Sequence, residues 1–265
     1  MSRHHDVAHP IILAVAALAV GVTAWASHTS GSAGATAPGL PAAMQATPLP
    51  KGSEPVTLDP ADFTTRIDNP YWPMAPGDRW VYRETRRRGA PQRIVITVTN
   101  QTKVVAAGVR ARVLHDVVTR NGRPVEDTFD WVAQDRRGNI WYLGEDSRDY
   151  RDGQLVTSRG SWEAGADGAQ AGILVPAAPR PGLEYRQEYR AGRAEDAARV
   201  LSVDEQVDVP FGHFSRLLMT KEFTPLEPRA AEYKFYARKV GLVLALDVSG
   251  GSSREELISF KRGGR

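Results

Sequence analysis

The side chains best suited to chemistry here are the carboxyls of Glu126, Asp130, Glu145, Asp146 and Glu163 and the indoles of Trp131, Trp141 and Trp162. Acids beside indole rings suit a sugar-like ligand, whose hydroxyls pair with carboxyls while its C–H faces stack on the rings. Paired acids also suit hydrolysis, where two carboxyls stand ~5 to 9.5 Å apart and one holds a raised pKa. Period-two alternation puts Glu126 and Asp130 on one face of an extended stretch, with Thr128 between them. Glu145 and Asp146 end the next stretch, and Glu163 and Asp167 follow beside Trp162. If that last segment folds back, these acids meet the tryptophans at one rim. The competing role is plain solvation, or pairing with the many arginines, which contributes little at a surface.

Nothing singles out a catalytic residue. The sequence has no P-loop, no dinucleotide glycine fingerprint, no paired-histidine zinc helix and no nucleophile elbow. His115 lies between Val113 and Val117 and reads as a hydrogen-bonded core histidine, since no second ligand stands at metal spacing. No metal and no cofactor is expected. Cysteine is absent, which excludes disulfides and thiolate metal sites. The formal charge is +3, and the one tight basic cluster, Arg86-Arg87-Arg88, falls in a turn sequence. A nucleic-acid face would need denser basic residues interleaved with aromatics, so no nucleic-acid partner is expected.

The elements that must position these groups begin after an export signal. Residues 1–26 carry a basic start, an apolar run from Ile11 to Ala26, and Ala24-Trp25-Ala26 as a small-x-small cleavage word. That run is 16 residues, shorter than the ~20 that cross a bilayer, which favours cleavage over membrane anchoring through residues 11–26. Export to the extracellular side or the outer face of the envelope is expected. Residues 27–56, rich in Ser, Ala, Gly, Pro and Thr, read as a flexible linker. The remainder, 57–265, reads as a single β domain.

Within it the second half repeats the first. Pro76-Gly77 is answered by Pro181-Gly182, Gly108 by Gly212, Phe129-Asp130-Trp131-Val132-Ala133 by Tyr233-Lys234-Phe235-Tyr236-Ala237, and Gly138 by Gly241, at offsets of 105, 104, 104 and 103. So steady an offset predicts one unit used twice, about 76–146 and 181–248, with 147–180 inserted and lacking a counterpart. Val109, Ala111, Val113, His115 and Val117 alternate with Arg110, Arg112, Leu114 and Asp116, which predicts a strand burying the first set. On the returning strand Phe129, Trp131 and Ala133 are expected to face together. Asn121-Gly122 between them is a two-residue hairpin signal, because both residues tolerate positive φ. Tyr71 and Trp72, in a proline-rich opening, are expected to plug one end of the core. Aromatic and β-branched residues at this period predict an all-β fold of two similar antiparallel units, packed as a sandwich or a curved half-barrel.

Several words of the sequence also resemble a known group. Ile67-Asp68-Asn69-Pro70-Tyr71-Trp72-Pro73, Asp130 to Asp135, Gly138 to Asp146 and Gly160 to Gly165 resemble an uncharacterised family of exported bacterial β-rich proteins. Tyr236 to Val243 is similar to the closing strands of half-barrel envelope domains, lipoprotein carriers among them. There the usual word has a glycine near Lys239, which this chain lacks. The resemblance implies an envelope β domain and brings no reaction with it.

The leading expectation is a non-enzymatic binding or scaffold protein for an apolar or sugar-like ligand. A hydrolase of an envelope polymer, using acids from Glu126, Asp130, Glu145 and Glu163, is the alternative. A purely structural envelope protein is the third.

Overall fold

The computed structural model describes residues 48–158 and 160–264; the expected signal segment and residues 27–47 of the expected linker lie outside them. A 3-10 turn at Pro60–Asp62 precedes β1 (Phe63–Thr64). The first unit continues with β2 (Arg79–Thr85), β3 (Gln92–Val104), β4 (Arg110–Arg120), β5 (Arg123–Asp135) and β6 (Ile140–Arg151). Next come β7 (Gln154–Thr157), β8 (Trp162–Glu163), β9 (Gln170–Val175), β10 (Glu184–Arg186) and β11 (Glu188–Tyr189). The second unit holds β12 (Ala197–Val209), β13 (Gly212–Phe223), β14 (Ala231–Ala237), β15 (Gly241–Ser249) and β16 (Arg254–Lys261).

All the strands join one antiparallel sheet, in the order β10-β12-β13-β14-β15-β16-β2-β3-β4-β5-β6-β9-β11. The path from β10 to β16 repeats the path from β2 to β9, six strands each, so the strand order agrees with the duplication. Segment 147–180 is therefore not wholly an insertion: β9 lies beside β6 as β16 lies beside β15. Only Gln187 separates β10 from β11; β10 pairs with β12 and β11 with β9. The two curved halves are thus continuous and nearly closed into a barrel, which leaves little free edge.

Local chemistry sets the corners. Asn121 (φ 51°) and Gly122 (φ 75°) close the β4–β5 hairpin, and Asp152 (φ 52°) and Gly153 (φ 79°) close β6–β7. At the turn before β15, Lys239 takes the left-handed conformation (φ 66°), so the turn forms without a glycine at that position. Gly144 sits at a bulge where Trp131 opposes Gly144 and Val132 opposes Tyr142. Its φ is 132°, and a Cβ there would collide with the Trp162 carbonyl oxygen. Gly144→Ala is expected to cost about 2–3 kcal/mol, from backbone strain plus displacement of β8, and to lower the melting temperature in a thermal scan.

One barrel end is apolar and plugged. Tyr71 and Trp72 are buried there as expected. The Trp72 ring packs edge-on against Trp80 at 6.2 Å and lies 5.7 Å from Tyr236. Trp80 Nε1 donates to the Val240 carbonyl at 2.6 Å and Tyr82 Oη to the Leu242 carbonyl at 3.0 Å, locking β2 to β15 across the interior. Outside, residues 48–56 of the expected linker lie against the domain. Pro50 accepts from the Arg186 amide at 2.8 Å. The buried Arg186 guanidinium donates to the carbonyls of Ala171, Gly52 and Glu54 at 3.1, 2.9 and 2.6 Å.

Candidate functional site

The opposite end of the barrel interior is acidic. Along β5 the side chains of Glu126, Thr128, Asp130, Val132 and Gln134 are buried while Asp127 and Phe129 are half-exposed. On β4 the buried set beyond Val113 is Leu114, Asp116 and Val118. This corrects the expected facing: His115 and Val117 lie on the outer side. There His115 stacks on Phe129 at 4.5 Å and meets Asp127 at 2.6 Å. The outer face is not bare, which is why aromatic content misled. Lys103 Nζ lies 3.7 Å from the Trp131 ring centre, and Phe63 of β1 packs edge-on against Trp141 at 5.8 Å.

The β5–β6 register sets Asp130 opposite Glu145, Thr128 opposite Ser147 and Glu126 opposite Asp149. Tyr142 Oη lies 2.9 Å from Asp130 Oδ1 and 3.0 Å from Glu145 Oε2. A phenol has one proton to donate, so the second of these contacts needs a proton from a carboxyl. Thr128 Oγ1 lies 3.1 Å from Glu126 Oε1. Among the described residues, Asp116 Oδ1, Asp130 Oδ2 and Glu145 Oε1 are buried with no partner; so are Glu188 Oε2 and both oxygens of Glu255.

The second unit handles its acids differently. Glu222 and Glu232 are cross-strand neighbours on β13 and β14. Lys234 Nζ stands 2.7 Å from Glu222 Oε2 and 3.3 Å from Glu232 Oε2. Tyr236 Oη donates to Glu222 Oε1 at 3.2 Å. Glu84, facing inward from β2, pairs with Arg86.

Burial pushes Glu126 up to about 8, with help from the Asp149 charge and against the Thr128 hydrogen bond. Burial pushes Asp130 up to about 7, against the Tyr142 hydrogen bond. Glu145 is raised well above its ordinary value, by burial first and then by Asp130. Asp116 is raised by burial and then by Glu126 and Asp130. Burial, then Asp196 and Glu145, raise Glu188, and Trp162 counters them. Glu255 is raised by burial, then by Glu232, Asp116 and Glu84. These groups act on one another across both units and form one connected acidic interior. Each shift favours the neutral acid, whose carboxyl can donate as well as accept hydrogen bonds.

The expected site residues therefore divide. Glu126, Asp130 and Glu145 meet inside. Trp162 joins them: it lies opposite Glu145 and packs edge-on against Tyr142 at 5.2 Å. Trp131 and Trp141 belong to the covered outer face. The half-exposed Asp146 pairs with the exposed Arg148 at 2.7 Å. Glu163 binds Lys103 Nζ at 2.8 Å and caps the Ala106 amide at 2.7 Å. Asp167 pairs with Arg190 at 3.1 Å. Asp116, Tyr142, Glu188, Glu222, Glu232, Lys234 and Glu255 were missed. Alternation alone would have flagged Asp116, an acid between Leu114 and Val118 on one face of a long strand. Among the described residues no three His, Asp or Glu side chains come to metal-ligand spacing.

A cavity of about 680 Å³ opens at the rim beside this interior, lined in part by Tyr185, Glu188, Tyr189, Lys221, Phe223 and Pro225. It lies within the usual size range of small-ligand sites. Glu188 belongs to both: it lines the cavity, and its carboxyl feels Glu145 and Asp130.

No protein-family model matches the chain, and no curated protein matches it. Among solved structures, a protein of Parabacteroides distasonis provisionally described as a lipoprotein is similar at 12% identity and a TM-score of 0.39. That match covers 72% of this chain and 98% of the other. A likeness this distant carries no inference about function.

Proposed function

We propose that this is an exported, non-enzymatic binding protein that holds a small ligand rich in hydrogen-bond donors against its acidic barrel interior. One observation carries the reading: Asp116, Asp130, Glu145 and Glu188 each bury an oxygen with no partner among the described residues. Each such atom costs about 1–3 kcal/mol, and folded proteins keep few of them. A ligand with hydroxyl or amine donors would recover that cost on binding; a purely apolar one would not. The rim cavity supplies room for a ligand body, with Glu188 in its lining. Export rests on the N-terminal signal pattern.

A second reading is favoured by Tyr142 alone. It bridges two opposed carboxyls that need a proton between them, the arrangement used when two acids share acid and base roles. That reading makes the protein a hydrolase of an envelope polymer.

Isothermal titration with glucose, N-acetylglucosamine and glucosamine tests the binding reading. Glu145→Gln is expected to weaken binding at least tenfold. Glu163→Ala, which removes only the Lys103 pair and one amide cap, is expected to change affinity less than twofold and to cost about 1 kcal/mol of stability. Equal binding by wild type and Glu145→Gln would remove this site from the reading. Release of p-nitrophenol from aryl glycosides, lost in Glu145→Gln, would replace the binding reading with the hydrolase.

A further inference from the structure

The two units differ at one position in a way that names a ligand chemistry. Asp130 and Lys234 correspond in the repeat, 104 residues apart. Each sits at the same place in its meander: Asp130 on β5 between Leu114 of β4 and Glu145 of β6, Lys234 on β14 between Thr220 of β13 and Ala245 of β15. Two residues earlier on the same strands, Thr128 opposes Asp116 and Glu232 opposes Glu222, so Asp116 and Glu222 also correspond. In the second unit the chain supplies an ammonium to its inward acids, at 2.7 Å from Glu222 and 3.3 Å from Glu232. In the first unit the corresponding place carries another carboxyl, with a further one, Glu145, where the second unit has alanine. Asp116, Asp130 and Glu145 each keep a buried oxygen without a partner among the described residues.

We propose that the first unit binds the protonated primary amine of a small ligand, which plays for Asp116, Asp130 and Glu145 the part Lys234 plays for Glu222 and Glu232. This rests on the binding reading above and narrows it to one ligand class. An ammonium has three donors and no acceptor, and it matches a set of carboxyl oxygens that carry no donor of their own once ionised. The ligand body has a place too. The rim cavity leads to Glu188 between the rings of Tyr185, Tyr189 and Phe223, which suit a short apolar or sugar body. Three cations also line that cavity: the Arg186 guanidinium is tied to Ala171, Gly52, Glu54 and Gln170, while Lys51 is exposed and Lys221 half-exposed. As the ammonium arrives, the neutral carboxyls ionise and pass protons to the buffer, leaving the amine protonated and the site paired.

Matched pairs of probes test this on the full chain at pH 7: benzylamine against benzyl alcohol and glucosamine against glucose, by calorimetry in two buffers of different ionisation heat. The expected result is at least tenfold tighter binding of each amine, with buffer-dependent heat reporting proton release. Asp130→Asn and Glu145→Gln should each lose that preference. Asp130→Lys, which rebuilds the second unit's arrangement, should abolish amine binding and raise the melting temperature by several degrees; if it fails to fold, Asp130→Asn alone decides. Amine and alcohol binding equally tightly would overturn the ammonium inference and leave the binding reading standing. Calcium chloride binding in place of the amines, and lost in the same variants, would also overturn it. No binding of any probe to the wild type would sink both.

Discussion

Raising the pH from 5 to 8 is expected to destabilise the fold, contrary to the usual behaviour of a protein held by ionised carboxylates. Among the described residues, every carboxyl displaced from its ordinary value is displaced upward. Glu126 stands at about 8 and Asp130 and Glu232 at about 7, and burial is the leading cause for each. In the unfolded chain these groups titrate near their ordinary values of about 4. Between the two limits the folded state holds more protons than the unfolded, so stability falls as pH rises. The contribution is complete below about pH 4 and is lost as pH climbs through 7 to 8. Each pK unit corresponds to about 1.4 kcal/mol. One unit on each of three groups would remove about 4 kcal/mol, or roughly 10 °C of melting temperature for a domain of this size. Thermal scans from pH 4.5 to 8.5 measure it directly, and Glu126→Gln should flatten the slope and be more stable than wild type at pH 8. A melting temperature that rises across this window would mean the acids are not buried as described.

Removing the ammonium of Lys234 is expected to be the most damaging single change in the interior. Burial alone would push its pKa down. Glu222 and then Glu232 more than reverse that, so the net shift is upward and the group is charged throughout the working range. Lys234→Met leaves the buried Glu222 facing the half-buried Glu232 without it. Losing one partner of a buried pair costs about 3–5 kcal/mol. The damage should be greatest at pH 8 and shrink toward pH 5, where Glu232 takes up a proton and the repulsion fades. Chemical denaturation of Lys234→Met at the two pH values, beside Lys234→Met combined with Glu222→Gln and Glu232→Gln, separates charge from packing. A loss equal at both pH values, or one the triple variant fails to repair, would mean that Lys234 acts through its methylenes.

The strand plan was legible because it is local chemistry. Asn121-Gly122 and Asp152-Gly153 can turn a hairpin wherever they occur, and alternation over Val109 to Thr119 marks a strand whichever side is buried. The duplication was legible because corresponding turns keep their spacing. The site was only half legible. Alternation placed Glu126 and Asp130 on one face, but it carries no sign saying which face closes inward. Phe129, Trp131 and Ala133 do face together, but on the outer side, which is itself roofed: Phe63 covers Trp141 and Lys103 covers Trp131. Glu163 beside Trp162 looked like part of a rim, yet the β6–β8 pairing turns it outward to Lys103.

Sequence alone therefore determined the all-β character, the hairpins, the repeat and the plug at Tyr71 and Trp72, since each depends on residues close in the chain or on their periodicity. Tertiary structure alone decided that acids from strands far apart in sequence share one interior, that Lys234 neutralises them in one unit, and that Asp130 stands in its place in the other. The reason is physical: a carboxyl's pKa, its partners and its reach toward a ligand are set by neighbours across the sheet and by loss of water on closure. Neither is written in the spacing along one strand.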